Sequence, residues 1–220
     1  MKTAEKLQRK EKEFRFRRAE ILAQAEKIFA GNGFHNTTMA QIAKASGFSA
    51  GSLYQFFSGK EELYSVMMME KIDLMYAEIE NAAAREENIQ NKIRALVNSH
   101  FAFVEHHGDF YHLLVGQESG FRSESLKKLR KHILAKHSGH VDYIEELLRQ
   151  GIEREILRPI DTKILATSLI GIVSYFKYAS IMNPSGTPLS GSVDLILDLF
   201  LRGAAVPDDA RREHSGDRPG

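Results

Sequence analysis

The chain has no cysteine among its 220 residues, which excludes disulfides, thiolate zinc sites and cysteine nucleophiles and fits a reducing compartment. An apolar leader is also missing: the N-terminal stretch KTAEKLQRKEKEFRFRR is polar and charged, so no secretory signal is expected. The longest nearly apolar run, Ile164 to Phe176, falls short of the ~18 to 20 residues that cross a bilayer, and no membrane partner is expected. Strand-like alternation of useful length and internal repeats are absent. Nucleotide loops, nucleophile elbows and paired-carboxylate motifs are absent too. Loose glycines such as Gly116 and Gly120 follow no strand, so a dinucleotide site fails on context. These absences leave an all-α, cytoplasmic, non-enzymatic protein with no cofactor as the expectation.

Charge is present but unevenly placed. Through Lys60 there are eleven Lys and Arg against five Glu, a net +6, which leaves −5 for the remainder of a chain whose formal charge is +1. A basic end on an acidic body is the electrostatic footprint of a nucleic-acid-binding module joined to a non-binding domain. A solvated basic tail accounts for Lys2 to Lys10. Arg15, Arg17 and Arg18 stand closer to the motif described next and are placed against phosphates or a neighbouring minor groove.

That motif is TTMAQIAKASGFSAGSLYQFFSGKEEL, Thr37 to Leu63. Thr38 can cap a short helix that turns Ile42 and Ala43 inward, and Ser46-Gly47-Phe48 breaks it. Ser49 caps a second helix, Ala50 to Phe57, with Leu53, Phe56 and Phe57 at helical spacing. Gly47 suits a turn that needs positive φ, and Ala43 is small where the two helices cross. A plain helical hairpin shares parts of this pattern. The small residue, glycine, apolar residue and cap together meet the needs of a helix-turn-helix that sets its second helix in the major groove of duplex DNA. Ser49, Ala50, Gly51, Ser52, Tyr54 and Gln55 are then the DNA-facing residues, with Leu53 inward. Gly51 admits close backbone approach, Tyr54 offers a hydroxyl to a phosphate and Gln55 can pair an adenine edge. Lys60 opens the next helix, where charge and dipole act together on a phosphate.

Upstream, Lys12 to Ala30 reads as an amphipathic helix closed by Gly31-Asn32-Gly33-Phe34. Downstream the pattern predicts helices over Lys60–Arg85, Ile89–His106, a short apolar piece Phe110–Val115, Ser123–Arg149 ending near Gly151, Thr162–Ile181 and Val193–Leu201. NPSGTPLSG is a loop, and the polar tail 204–220 is expected to be disordered, as is 1–11 to be flexible. The domains are then 1–60 and 61–203. Thr162–Ile181 is apolar on nearly every side, and such a helix must be covered all round. One domain covers one side, so a second copy of the chain is expected to cover the other, through Leu165, Leu169, Ile172 and Phe176 with Leu195 and Leu199. A buried helix in a monomer is the alternative.

The residues A-x-x-x-F-A-x-x-G-F (Ala25, Phe29, Ala30, Gly33, Phe34), T-T-M-x-x-I-A, G-F-S-x-G-S-L-Y-x-F-F and K-E-E-L resemble the TetR family of bacterial transcriptional regulators. They cover Ala25 to Leu63, about a fifth of the chain. Two departures stand out: Ala50 where the family often has lysine, and Gln55 where an aromatic or basic residue is common. The resemblance implies that Thr38 donates to a phosphate, that the last two helices form a four-helix bundle across a two-fold axis, and that the homodimer binds a palindromic operator. It also implies a small-molecule effector in the larger domain and repression relieved by that effector. Candidate effector contacts are Met67, Phe101, Phe103, Phe110, Tyr111, Phe121, Tyr143 and Phe176, which fit a mostly apolar or aromatic molecule oriented by a polar group such as His112 or Gln117. Two other classes compete, a helical metalloenzyme and a helical scaffold. The histidines at 100, 106, 107, 112, 132, 137 and 140 include pairs at helical spacing, but HEXXH-type spacing is absent; most read as surface or capping residues, and no metal is expected.

Overall fold

The computed structural model of the chain describes residues 2–116, 123–183 and 188–204. These residues form α1 (Lys2–Asn36), α2 (Met39–Ala45), α3 (Ala50–Leu53), α4 (Lys60–Ala84), α5 (Ile89–His106), α6 (Gly108–Val115), α7 (Glu124–Glu153), α8 (Thr162–Met182), a 3-10 turn (Leu189–Ser192) and α9 (Val193–Ala204). No strand occurs among them. Two compact units result, Met1–Asp73 with His107–Leu134, and Leu74–His106 with Ala135–Gly220. Phe121, Gln117 and the tail expectation beyond residue 204 lie outside the described residues.

The first unit holds the helix-turn-helix. Helix α1 begins at Lys2, earlier than expected, so the basic segment taken as flexible is helical. The glycine stop acts at Gly33, whose φ of 76° and ψ of 163° break the helical path. Ile21, Ala25 and Phe29 are fully buried on one stripe of α1, with Leu22 beside them. Phe29 meets Tyr64 of α4 edge-on at 5.0 Å between ring centroids, and burial pushes the Tyr64 hydroxyl up to about 12. Lys71 of α4 pairs with Glu26 of α1 at 3.0 Å.

The second unit is built on α5, whose Ile89, Ile93, Leu96, Val97, Phe101 and Val104 are buried at helical spacing. Helix α5 packs on α8, α9 and the 3-10 turn. Helix α7 ends at Glu153, close to the expected stop near Gly151, but the left-handed position falls on Glu155, with φ of 58°. Gly151 is glycine for a different reason. A Cβ there meets Leu157 Cδ1 at 2.7 Å and Ile89 Cγ2 at 3.2 Å, so only hydrogen fits between α7 and its return. Gly151→Ala is therefore expected to destabilise the fold by about 1–3 kcal/mol, read from denaturant unfolding.

Helix α8 extends beyond the apolar run seen in sequence. By length and composition it is long and apolar enough to cross a membrane, its most apolar 18-residue window having a mean hydropathy of 1.5. Leu165, Ala166, Leu169, Val173 and Lys177 are nevertheless buried on one face against the rest of the unit. A buried lysine on that face is a feature of a protein core, where it can find polar partners.

Candidate functional site

The turn between α2 and α3 is set by local chemistry. Thr38 caps α2 reciprocally: its hydroxyl accepts from Gln41 N–H at 3.3 Å while Gln41 Oε1 accepts from Thr38 N–H at 2.8 Å. Ser46 donates its hydroxyl to the Ile42 carbonyl at 2.7 Å, and Gly47 turns the chain at φ of 74°. Ser49 then caps α3, accepting from Ser52 N–H at 3.1 Å. Ile42 and Ala43 face inward from α2, and Leu53 from α3, all buried.

The expected second helix, Ala50 to Phe57, is shorter than its pattern. It is α-helical over Ala50–Leu53 and then tightens, with Gln55 N–H bonded to Ser52 O at 3.1 Å and Phe56 N–H to Leu53 O at 3.0 Å. Tightening lets the two successive phenylalanines find separate partners. Phe56 stacks on Phe14 of α1 at 4.5 Å, while Phe57 is buried with the Arg18 guanidinium 5.6 Å from its ring centre. Ser49, Ala50, Gly51, Tyr54 and Gln55 are exposed together on the outer side and Ser52 is half-buried. Tyr54, 56 % exposed, is the large apolar body on that surface. The described protein atoms leave Gly51 open: a Cβ there reaches nothing closer than Ser49 Oγ at 4.0 Å.

Several basic groups are used differently from the expectation. The Lys60 ammonium donates to the carbonyls of Phe34 at 2.7 Å and His35 at 3.1 Å and lies 4.6 Å from the Phe34 ring centre. It therefore closes the C-terminal end of α1, where carbonyls lack helical partners. Arg18 pairs with Glu70 at 2.6 Å, tying α1 to α4. Arg15 and Arg17 pair one turn back with Glu11 and Glu13 at 3.2 and 2.5 Å on an exposed surface, where such pairs are weak and easily exchanged.

The effector candidates are divided between the two units. Met67, Phe110 and Tyr111 are buried in the first unit; Phe101 and Phe103 are buried in the second, where Tyr143 and Phe176 are half-buried. Phe101 and Phe176 are in contact at 6.4 Å between centroids. The first unit contains a cavity of about 290 Å³ lined by Phe29, Phe34, His35, Tyr64, His112 and Leu113. Of the polar groups considered for a ligand, His112 reaches it; Met67, Phe110 and Tyr111 do not. Among the dimer residues, Leu165 and Leu169 are corrected: at 6 % and 0 % exposure they pack into their own unit. Ile172 and Phe176 are half-buried, and Leu195 and Leu199 are exposed on α9. The outward stripe of α8 is instead Ile164, Tyr175, Tyr178 and Met182, which the uniformly apolar sequence could not separate from the inward one.

Histidine also departs from expectation. His100 and His140 are buried and face one another at 2.9 Å, exceptions to the expectation that most of the histidines are surface or capping residues. Among the described residues no group of three His, Asp or Glu is placed to hold a metal ion.

A capped helix-turn-helix with an exposed polar outer surface, on a helical chain with a larger body, defines a DNA-binding regulator. The family model for bacterial regulatory proteins, tetR family, matches residues 21–67, and the model for the YsiA-like protein C-terminal region matches residues 68–203. The chain belongs to the TetR family. As such it is a transcriptional regulator and not an enzyme, and it binds operator DNA as a homodimer under the control of a small-molecule effector. It is 23 % identical over 185 residues, 84 % of this chain and 93 % of the other, to the fatty acid metabolism regulator protein of Bacillus subtilis strain 168. Its fold is similar to the crystal structure of the regulator FadR from Bacillus subtilis in complex with stearoyl-CoA, with a TM-score of 0.71 at 21 % identity over 84 % of this chain and 98 % of that one. It is also similar to AibR in complex with isovaleryl coenzyme A and operator DNA, with a TM-score of 0.66 at 22 % identity over 87 % and 99 %.

Proposed function

We propose that the protein is a cytoplasmic repressor that leaves a palindromic operator when its larger domain binds an acyl thioester with an apolar chain. The observation that carries this reading is the match of residues 68–203 to the YsiA-like C-terminal region, combined with solved relatives that hold stearoyl-CoA and isovaleryl-CoA. Residues 1–60 read the operator, and 61–203 hold the effector and the partner copy. The apolar and aromatic side chains of the body, Phe101, Phe103 and Phe176 among them, suit the acyl chain. An effector acts only through different affinities for the DNA-competent and DNA-incompetent states.

On the DNA side, Gln55 reads a base edge and Tyr54 a phosphate, with Thr38, Ser49, Ala50, Gly51 and Ser52 at the backbone. Gln55→Ala is expected to relax preference at one operator position by roughly 1–3 kcal/mol, and Tyr54→Phe to weaken every sequence alike. Fluorescence anisotropy on the operator and its single-base variants separates the two. A uniform loss for Gln55→Ala contradicts the base-reading role. Lys60 supports the interface by holding the end of α1, so Lys60→Ala is expected to lower the unfolding midpoint as well as affinity for all DNA.

A further inference from the structure

Four titratable side chains from four helices stand in line inside the second unit. Lys177 Nζ of α8 lies 3.4 Å from His100 Nδ1 of α5. His100 Nε2 lies 2.9 Å from Nε2 of His140 on α7, and His140 Nδ1 lies 3.6 Å from Glu80 Oε1 on α4. Lys177, His100 and His140 are all buried, and the Tyr76 and Tyr143 rings flank His140 at 4.7 and 6.4 Å.

The line has a direction. An ammonium has only donors, so His100 Nδ1 accepts and the single proton of that neutral ring sits on Nε2. That proton is donated to His140 Nε2, which leaves the His140 proton on Nδ1, facing the Glu80 carboxylate. Both rings stay neutral because burial, reinforced by the Lys177 charge, holds His100 well below its ordinary value and His140 down at about 4. This placement of protons satisfies the Lys177–His100 and His100–His140 contacts and leaves His140 Nδ1–H, which has no hydrogen-bond partner among the described residues, 3.6 Å from Glu80 Oε1, so the state of Lys177 decides what Glu80 meets at the far end.

Glu80 stands near the end of α4, a single helix that starts at Lys60 directly after the helix-turn-helix. We propose that this line is a proton-operated latch of the regulator: with Lys177 protonated, His140 Nδ1–H faces Glu80 and holds residues 74–84 of α4, and with Lys177 neutral that hold weakens and operator affinity changes. A neutral amine carries a lone pair and can accept from His100 Nδ1–H, which permits the reversed order and turns the His140 Nδ1 lone pair toward the carboxylate. The net change is one proton passed from Lys177 to solvent. Burial holds the Lys177 ammonium down at about 8, so the change falls near working pH. The other groups facing the line are Tyr76 on α4 and Lys136, His137 and Tyr143 on α7. Burial raises Glu80 while the Lys136 charge lowers it, His137 adds to the lowering of His140, and burial raises both tyrosines, Tyr76 to about 12.

The test is nitrogen-15 NMR of histidine-labelled full-length protein from about pH 6.5 to about pH 9.5, with amide exchange and operator affinity followed over the same range. Expected at the lower end are the Nε2–H tautomer at His100 and the Nδ1–H tautomer at His140, and both sets of signals move with a shared midpoint near 8. Amide protection in residues 74–84, taken relative to the intrinsic exchange rate at each pH, falls and operator affinity shifts by at least about fivefold at that midpoint, and both stay flat in Lys177→Met. Glu80→Gln keeps the histidine transition but loses the step in exchange. The opposite tautomers in the unmodified protein overturn the proposal, as do histidine signals that stay constant, or operator affinities of the unmodified protein and Lys177→Met that follow each other across the range. The tautomer measurement needs no effector, so failure of the acyl-thioester reading leaves it intact.

Discussion

Changing Tyr175 and Leu199 together to glutamate is expected to give a monomer that binds operator at least about a hundredfold more weakly than the parent chain. Ile164, Tyr175, Tyr178 and Met182 fall on one stripe of α8 at intervals that follow the helical repeat, with Gly171 open in their midst. Helix α9, which packs on α8, adds Leu195 and Leu199 one turn apart, at 59 % and 63 % exposure. Such a contiguous apolar surface exceeds what a lone chain usually leaves in water. Ion pairs occupy other positions of α9, Asp194 with Arg94 of α5 and Asp198 with Arg202 at 2.7 Å, as the polar rim of an interface does. On a two-fold face each substituted position occurs once in each protomer, so each glutamate enters the interface twice. Operator binding falls with dimerisation because each protomer engages one half-site. Sedimentation velocity and anisotropy on the same samples check both parts. A double variant that stays dimeric places the interface elsewhere.

The second large effect is on stability against pH. Burial lowers the folded-state value of Lys177 to about 8, against about 10.4 for an unfolded lysine. Between these values the unfolded chain binds the proton and the folded chain does not, so stability rises with pH across that window. The span amounts to about 3 kcal/mol at most. Lys177→Met removes the group, so the stability difference between the unmodified chain and Lys177→Met isolates it from every other titration. That difference is expected to move in favour of the unmodified chain by up to about 3 kcal/mol from about pH 8 to about pH 10.5 in urea unfolding. A constant difference means that the lysine keeps its ordinary value and is solvated.

Sequence and structure agree best where chemistry is local. The caps at Thr38 and Ser49, the left-handed turn at Gly47 and the stop at Gly33 each depend on residues within four positions, and each is visible in the chain alone. Helix α5 is equally legible, because its apolar residues keep a clean helical period. The losses have physical causes. Helix α8 is apolar all round, so its pattern cannot tell the core face with Leu165 and Leu169 from the outward one with Tyr175. Lys60 shows a charge at a helix start, but its use as a clamp on Phe34 and His35 depends on a contact 26 positions away. The pairing of His100 with His140 spans 40 positions and is a tertiary contact between α5 and α7, which no spacing rule encodes. Gly151 reads as a helix stop in sequence because a glycine needed for close packing looks the same as one needed for a turn.

The most direct measurement of the central claim is a titration of long-chain acyl-CoA, with free coenzyme A as control, into the dimer bound to fluorescent operator DNA. The acylated molecule is expected to bind and to lower operator affinity at least about fivefold, while free coenzyme A leaves it unchanged. Acyl-CoA that binds the protein yet leaves operator affinity unmoved would contradict that claim.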